Sequence, residues 1–253
     1  MRIKFNHGTR CILLITVLTC LAPLVRAQSI FAHNDYLKPQ PLKKAMELRA
    51  AYIEADIFLE NGALLVAHTR KELDPAKTLE RMYLEPLSHS EVYELNLMID
   101  LKTGGAETMN ALIKLLEKMN FTSDRLVHVV LSGNYPPPSE WKSYPAYIWF
   151  DGRPNVSYTK EQQDRIKLIS TSFSSVSNWD GNGEIPAKDL EKIEKVVDEA
   201  HKLDKPVRFW ASPDFENAWL KLTEAGVDVL NSDNIEPLSK FIPTLRSASQ
   251  RSR

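Results

Sequence analysis

The stretch YIEADIFLENGALLVAH, residues 52–68, places Glu54 and Asp56 two residues apart in an otherwise apolar run and ends at His68. Residues two apart in a strand share a face, so both carboxylates leave on one side while Ile53, Ala55 and Ile57 leave on the other. Burying two like charges together is costly unless a cation, a proton or hydrogen-bond donors compensate. The run MIDLK repeats the arrangement with Asp100 and Lys102. Three carboxylates and a lysine on neighbouring strand ends make an oxygen-rich pocket with one fixed positive charge. Such a donor set suits one hard divalent cation, Ca²⁺ or Mg²⁺.

Two imidazoles accompany the acids. His33 ends the run SIFAH and His68 ends ALLVAH. One can take a proton from an attacking hydroxyl while the other gives a proton to a departing oxygen, and a metal beside them stabilises charge on phosphoryl oxygens. These are the parts for breaking a phosphate ester without a cysteine or a serine elbow. A single strand-end acid is equally well explained as a loop or helix cap, so the combination carries the reading. His89, His128 and His201 lack that context; His201, among lysines in a helical segment, is expected to be solvated.

The elements that must position these residues are short β-rich runs at 29–33, 52–57, 95–102, 125–132, 146–151, 166–170, 207–212 and 227–232. Segments of helical spacing separate them; in the longest, Leu190, Ile193, Val197 and Ala200 form the stripe of a helix laid over a sheet. Asn61-Gly62 marks a hairpin turn, Gly226 a helix stop, and SHSE at 88–91 the start of a short helix. Eight strands with intervening helices predict an α/β fold, a (β/α)8 TIM barrel whose reactive mouth lies at the C-terminal strand ends. The competing doubly wound open sheet loses its main support because no glycine-rich phosphate loop follows the first strand.

At the N-terminus, a basic stretch, an apolar run from Cys11 to Val25 and small residues at Val25 and Ala27 predict an export signal over 1–27, cleaved near Ala27. Residues 28–253 are then one barrel domain, secreted or periplasmic. The apolar run is too short for a stable membrane span. Removing the signal takes Arg2, Lys4, Arg10 and Arg26 from the 32 basic residues and none of the 33 acidic ones, leaving net −5 and making nucleic acid an unsuitable partner. Both cysteines leave with the signal, so the mature chain has neither a disulfide nor a thiolate site.

AHND at 32–35, IEADIFLENGALLVAH at 53–68 and IDLK at 99–102, with VRFWAS and AGVDVLNSDNIEPL near the end, resemble the phosphatidylinositol-phospholipase-C-like phosphodiesterase superfamily. The nearest branches are the glycerophosphodiester phosphodiesterases and their sphingomyelinase-D-like relatives. The resemblance implies a barrel that cleaves phosphodiesters with two histidines and a divalent metal, through a cyclic phosphate where the substrate supplies a neighbouring hydroxyl. It implies His33 and His68 as the acid/base pair and Glu54, Asp56 and Asp100 as metal ligands. Lys102 and Asn34 would hold phosphate oxygens, and Trp210 would line the substrate pocket. Asn34-Asp35 replaces the arginine and glycine usual in glycerophosphodiesterases, which removes a bidentate phosphate clamp, and DLKTGG is closer to the sphingomyelinase-D side. The implied substrate is a small glycerophosphodiester or phospholipid-like molecule, with transient contact at a membrane surface. Two alternatives stand beside hydrolysis: a phospholipase-D-like enzyme releasing a cyclic phosphate, and a non-catalytic glycan or head-group binder using the aromatic loops at 134–147 and 172–183. A glycosidase pair would need Glu54 with Asp100 and would leave both histidines without a role.

Overall fold

The computed structural model describes residues 28–90, 93–121 and 126–251, with side chains through residue 245. The export signal expected over 1–27 lies outside the described residues. The strands are β1 (Ser29–Ala32), β2 (Tyr52–Glu60), β3 (Ala63–Val66), β4 (Leu95–Leu101), β5 (Val127–Gly133), β6 (Ile148–Gly152), β7 (Ile166–Ser172), β8 (Val207–Trp210) and β9 (Val229–Ser232). The helices are α1 (Lys43–Glu47), α2 (Glu85–His89), α3 (Gly105–Lys118), α4 (Lys160–Gln163), α5 (Ala187–Lys202), α6 (Glu216–Glu224) and α7 (Ile235–Arg251). The parallel order β1-β9-β8-β7-β6-β5-β4-β2 closes on itself through β1–β2 pairing. The result is an eight-stranded α/β barrel, as the alternation of strands and helices predicts. β3 is an extra strand, antiparallel to β2 across the Asn61-Gly62 turn.

Alternation along the strands divides the core. The outward residues Ile53, Ala55, Ile57, Leu97, Ile99 and Leu101 are fully buried beneath the helices. A smaller inner cluster of Phe31, Tyr52, Met98, Val130, Leu168 and Val229 plugs the barrel. Because the barrel is a packed core rather than a pore, the polar residues above this plug can only face the mouth. In α5, Ile193, Val197 and Ala200 are buried as the spacing predicts, joined by Val196.

Two expectations are corrected. The chain between β3 and β4 turns helical at Glu80–Leu84, with π-type turns running into α2, so Ser88 lies in the last turn of a helix rather than at its start. Leu79 precedes it with no side-chain cap, which is why no polar start signal marked it. The two loop tryptophans are packed rather than offered to a ligand: Trp141 is 1% exposed and stacks on Phe150 at 4.2 Å, while the buried Trp179 donates its indole N–H to the Asn182 carbonyl. His201 is exposed, as its lysine-rich helical setting predicts, and its Nε2 lies 2.8 Å from Asp228 Oδ2. Among the described residues no helix is long and apolar enough to cross a membrane.

Candidate active site

β2 and β4 are in parallel register with Asp56 opposite Asp100 and Glu54 opposite Met98. The pleat therefore carries Glu54, Asp56 and Asp100 to the same side, and one ligand oxygen from each lies within 4.8 Å of the others. Glu54 and Asp56 are buried, and Asp100 is partly open to the mouth. Lys102 bridges two of them, its Nζ 2.8 Å from Asp56 Oδ2 and 3.0 Å from Asp100 Oδ2. Burial pulls the Lys102 ammonium down, but Asp56 and Asp100 outweigh it and hold the group charged. From the barrel interior the fully buried Arg208 approaches Glu54 to 3.7 Å. It is fixed by Asn231 Oδ1 and lies over the Phe31 ring, 3.4 Å from its centroid. Burial, only partly opposed by Arg208, pushes the Glu54 carboxyl above its ordinary range.

Both strand-end histidines reach this cluster. His33 follows β1, and its Nδ1 lies 2.9 Å from Asp233 Oδ1, just past β9. An ionised carboxylate only accepts, so Nδ1 carries the hydrogen and Nε2 faces Glu54 Oε2 at 3.5 Å. Hydrogen bonds from His33 and then Asn34 hold the Asp233 carboxyl below its ordinary range. His68 comes from the far arm of the β2–β3 hairpin, tied back by Ala67 N–H donating to the Asp56 carbonyl at 3.2 Å. Its Nδ1 is 3.1 Å from Asp56 Oδ2 and 3.0 Å from the Tyr36 hydroxyl, which leaves Nε2 toward solvent. The Tyr36 hydroxyl lies 2.7 Å from Asp56 Oδ2; burial and then Asp56 raise its pKa, so it remains a donor.

The expected substrate-side residues are placed as follows. Asn34, at φ 51°, donates its backbone N–H to Glu54 Oε2 and its side-chain amide to Asp233 Oδ1 at 2.9 Å. Trp210 sits at the mouth end of β8, with the Arg153 guanidinium 5.2 Å from its ring centroid. A cavity of about 550 Å³ opens beside His33 and Asp233, bounded by Lys38, Lys44 and the start of α7.

Sequence reasoning missed Tyr36, Asp233, Arg208 and Arg153. Asp233 is two hundred positions from His33 and meets it only because β9 pairs with β1. The one usable signal for Tyr36 was its place three residues after His33. Asp35, inside the AHND signature, is structural: Oδ2 accepts from Leu42 N–H at 2.7 Å and from the buried Tyr83 hydroxyl at 2.9 Å.

Three carboxylates face two permanent cations, Lys102 and Arg208, so the cluster is short of positive charge before either imidazole is counted. Its donors are all hard oxygens at strand ends. Both facts fit a divalent ion of the Ca²⁺ or Mg²⁺ type.

Comparison with known proteins agrees with this fold. A glycerophosphodiester phosphodiesterase from Parabacteroides distasonis shares the fold at a TM-score of 0.62 and 14% identity, over 88% of this chain and 99% of that one. Another, from Agrobacterium tumefaciens str. C58, does so at 0.52 and 12%, over 84% and 99%. Residues 21–92 match the family described as an AIM6-like phosphodiesterase domain. The altered inheritance of mitochondria protein 6 homolog of Arthroderma benhamiae is 25% identical over 255 residues, 81% of each chain. Altered inheritance of mitochondria protein 6 of Eremothecium gossypii is 30% identical over 267 residues, covering 84% of this chain and 69% of that protein. The chain thus belongs to the altered inheritance of mitochondria protein 6 family, on a barrel related to the glycerophosphodiester phosphodiesterase fold.

Proposed function

We propose that the chain is a metal-dependent phosphodiester hydrolase, glycerophosphodiester-phosphodiesterase-like, in which His33 and His68 act as the general acid/base pair. One observation supports this most: two imidazoles, each tethered through Nδ1 to a carboxylate, flank the same three-carboxylate cluster. Glu54, Asp56 and Asp100 would hold the cation, whose contribution is to offset the charge of the phosphoryl group. The protein residues do the rest. Asp233 fixes the His33 tautomer so that Nε2 is the proton-accepting atom, and Asp56 with Tyr36 does the same for His68. One imidazole removes a proton from the attacking oxygen, and the other returns one to the leaving oxygen. Lys102 spends two of its three hydrogens on Asp56 and Asp100, which leaves one for a phosphate oxygen. Asn34 keeps its second amide hydrogen for the same use. The cavity beside His33 suits one arm of the diester, a small glycerophosphodiester or lysophospholipid-like molecule.

A cyclic phosphate product is the second reading. DLKTGG, closer to the sphingomyelinase-D side, favours it where the substrate offers a neighbouring hydroxyl. Packing of Trp141 and Trp179 takes both loop tryptophans away from a purely binding role, while Tyr135 and Tyr144 stay partly exposed. We further propose export, with residues 28–253 as one mature domain; mass spectrometry of the protein recovered outside the cytoplasm should give an N-terminus at Gln28. The test of activity is phosphorus NMR with glycerophosphocholine, glycerophosphoinositol, lysophosphatidylcholine and sphingomyelin, each with Ca²⁺ or Mg²⁺ and again with EDTA. A chelator-sensitive monoester supports hydrolysis and a chelator-sensitive cyclic phosphate the second reading. No conversion of these or of bis(p-nitrophenyl) phosphate overturns both.

A further inference from the structure

Across the mouth from the carboxylates stands a built network that the two-histidine chemistry does not use. Asp151, at the end of β6, is fully buried and accepts from Ser170 Oγ at 2.6 Å, from Ser132 Oγ at 3.1 Å and from the Arg153 guanidinium. Ser132 is in register with the cluster residue Asp100, so the network begins on the strand beside the metal ligands. Arg153 spans the barrel from there: its second terminal nitrogen reaches Ser132 Oγ at 3.5 Å, and its Cζ lies 5.2 Å from the Trp210 ring and 5.7 Å from the Tyr135 ring. Between two aromatic rings and held by a buried carboxylate, the guanidinium cannot swing away, yet its side chain stays 29% exposed. Nη1 is held by Asp151, Gly152 and Ser170 and Nη2 reaches Ser132, which commits part of the five N–H groups and leaves the rest for whatever enters the mouth.

We infer that Arg153 and Trp210 form the head-group side of the active site and select a polyol phosphodiester, of the glycerol or inositol kind, against one bearing choline or another cationic amine. The inference rests on the phosphodiester reading above. Recognition of a quaternary ammonium needs an open aromatic face, and on Trp210 that face is already occupied by a guanidinium. A cationic head group would meet a like charge held in place, and Asp151 cannot answer it because its carboxylate is fully buried and committed. A polyol supplies hydroxyl oxygens that accept from Arg153, and its own hydrogens can go to Ser172, which is paired with Trp210 at the end of β7.

The experiment has two arms. In the first, initial rates on glycerophosphoinositol and glycerophosphocholine are compared by phosphorus NMR, with bis(p-nitrophenyl) phosphate as a diester carrying neither head group. In the second, inositol 1-phosphate and phosphocholine are titrated calorimetrically into EDTA-treated protein, with no turnover required. The polyol should be preferred by about 10-fold or more in both arms. In the double variant D151N/R153Q, which removes both charges together and so avoids stranding a buried carboxylate, the ratio should fall toward one. Preference for the choline compound, or a ratio unchanged in D151N/R153Q, overturns the assignment even where all three diesters are cleaved. Failure to cleave any diester overturns the proposed activity instead, while the binding ratio still decides on Arg153.

Discussion

Substituting Gly133 by alanine tests whether the placement of Asp100 is a property of the backbone. Gly133 ends β5 at φ +73°, where an added Cβ would lie 1.9 Å from Asp100 Oδ1, 2.7 Å from Leu101 O and 2.9 Å from Leu101 N. The Asp100 carboxylate and that methyl group cannot both keep their places. Gly62 supplies the control, since its φ is +79° and nothing lies within 4 Å of its added Cβ. Both variants incur the left-handed backbone cost of about 1–2 kcal/mol, which at roughly 2–4 °C per kcal/mol for a chain of this size lowers Tm by about 2–8 °C. Only G133A also displaces a ligand, so its Tm should fall further and its affinity for Mg²⁺ or Ca²⁺ by about 10–100-fold, the scale of a disturbed metal support. Thermal melts by circular dichroism and calorimetric titration of chelator-treated protein read the two effects separately. Equal melting losses, with G133A binding metal like the unaltered protein, would refute the assignment of Asp100 as a ligand held by the β4–β5 register.

Three further outcomes are expected. H33A and H68A should each reduce diester turnover by about 10²–10⁴-fold, with metal affinity by calorimetry largely kept; normal turnover in H68A would break the acid/base pairing. D56A should instead lose metal affinity by at least the ~10–100-fold seen when an outer partner is removed, and excess metal should restore part of its rate. Burial raises the Asp35 pKa despite its bonds from Leu42 and Tyr83. The protonated form therefore stabilises the fold fully below the unfolded value of about 3.9, and that stabilisation is lost as pH climbs through the raised folded value. D35N keeps an oxygen for both donors, so its Tm relative to the unaltered protein should rise with pH above about 4 and then level off; a difference independent of pH would contradict the buried carboxyl.

The barrel was legible because its strands are dense in β-branched and aromatic residues and its turns carry their own signals. The Asn61-Gly62 pair located the hairpin that returns His68 to Asp56, and alternation placed Glu54, Asp56 and Asp100 on one face. Partners created by closure of the sheet were not legible. Asp233 meets His33 only through β9–β1 pairing, and Arg153, in an ordinary-looking DGRPN turn, meets Trp210 across two intervening strand pairings. Local composition misled where tertiary packing overrode it: the proline-rich segment before Trp141 resembles a surface loop, yet its indole is core.

Lys102 sharpens the argument for a metal because it occupies the charge position that a cation would contest. Its ammonium joins Asp56 and Asp100 at 2.8 and 3.0 Å, and it is three-quarters buried. With Lys102 replaced by methionine, two acids lose their shared counter-charge while Glu54 keeps only Arg208 at 3.7 Å. The metal-free K102M protein should melt below the unaltered one, because a buried ion pair that loses one partner leaves the other uncompensated. Added Mg²⁺ or Ca²⁺ should then do more for K102M than for the unaltered chain, since no ammonium has to be outweighed. At a metal concentration 100 times Kd, binding is worth about 2.7 kcal/mol, a rise of about 5–10 °C at the same conversion. A larger metal-induced rise in K102M, absent with Na⁺ at matched ionic strength, is the expected result. If K102M melts below the unaltered protein but gains nothing from divalent metal, the three carboxylates are a lysine-neutralised structural cluster and the metal assignment fails.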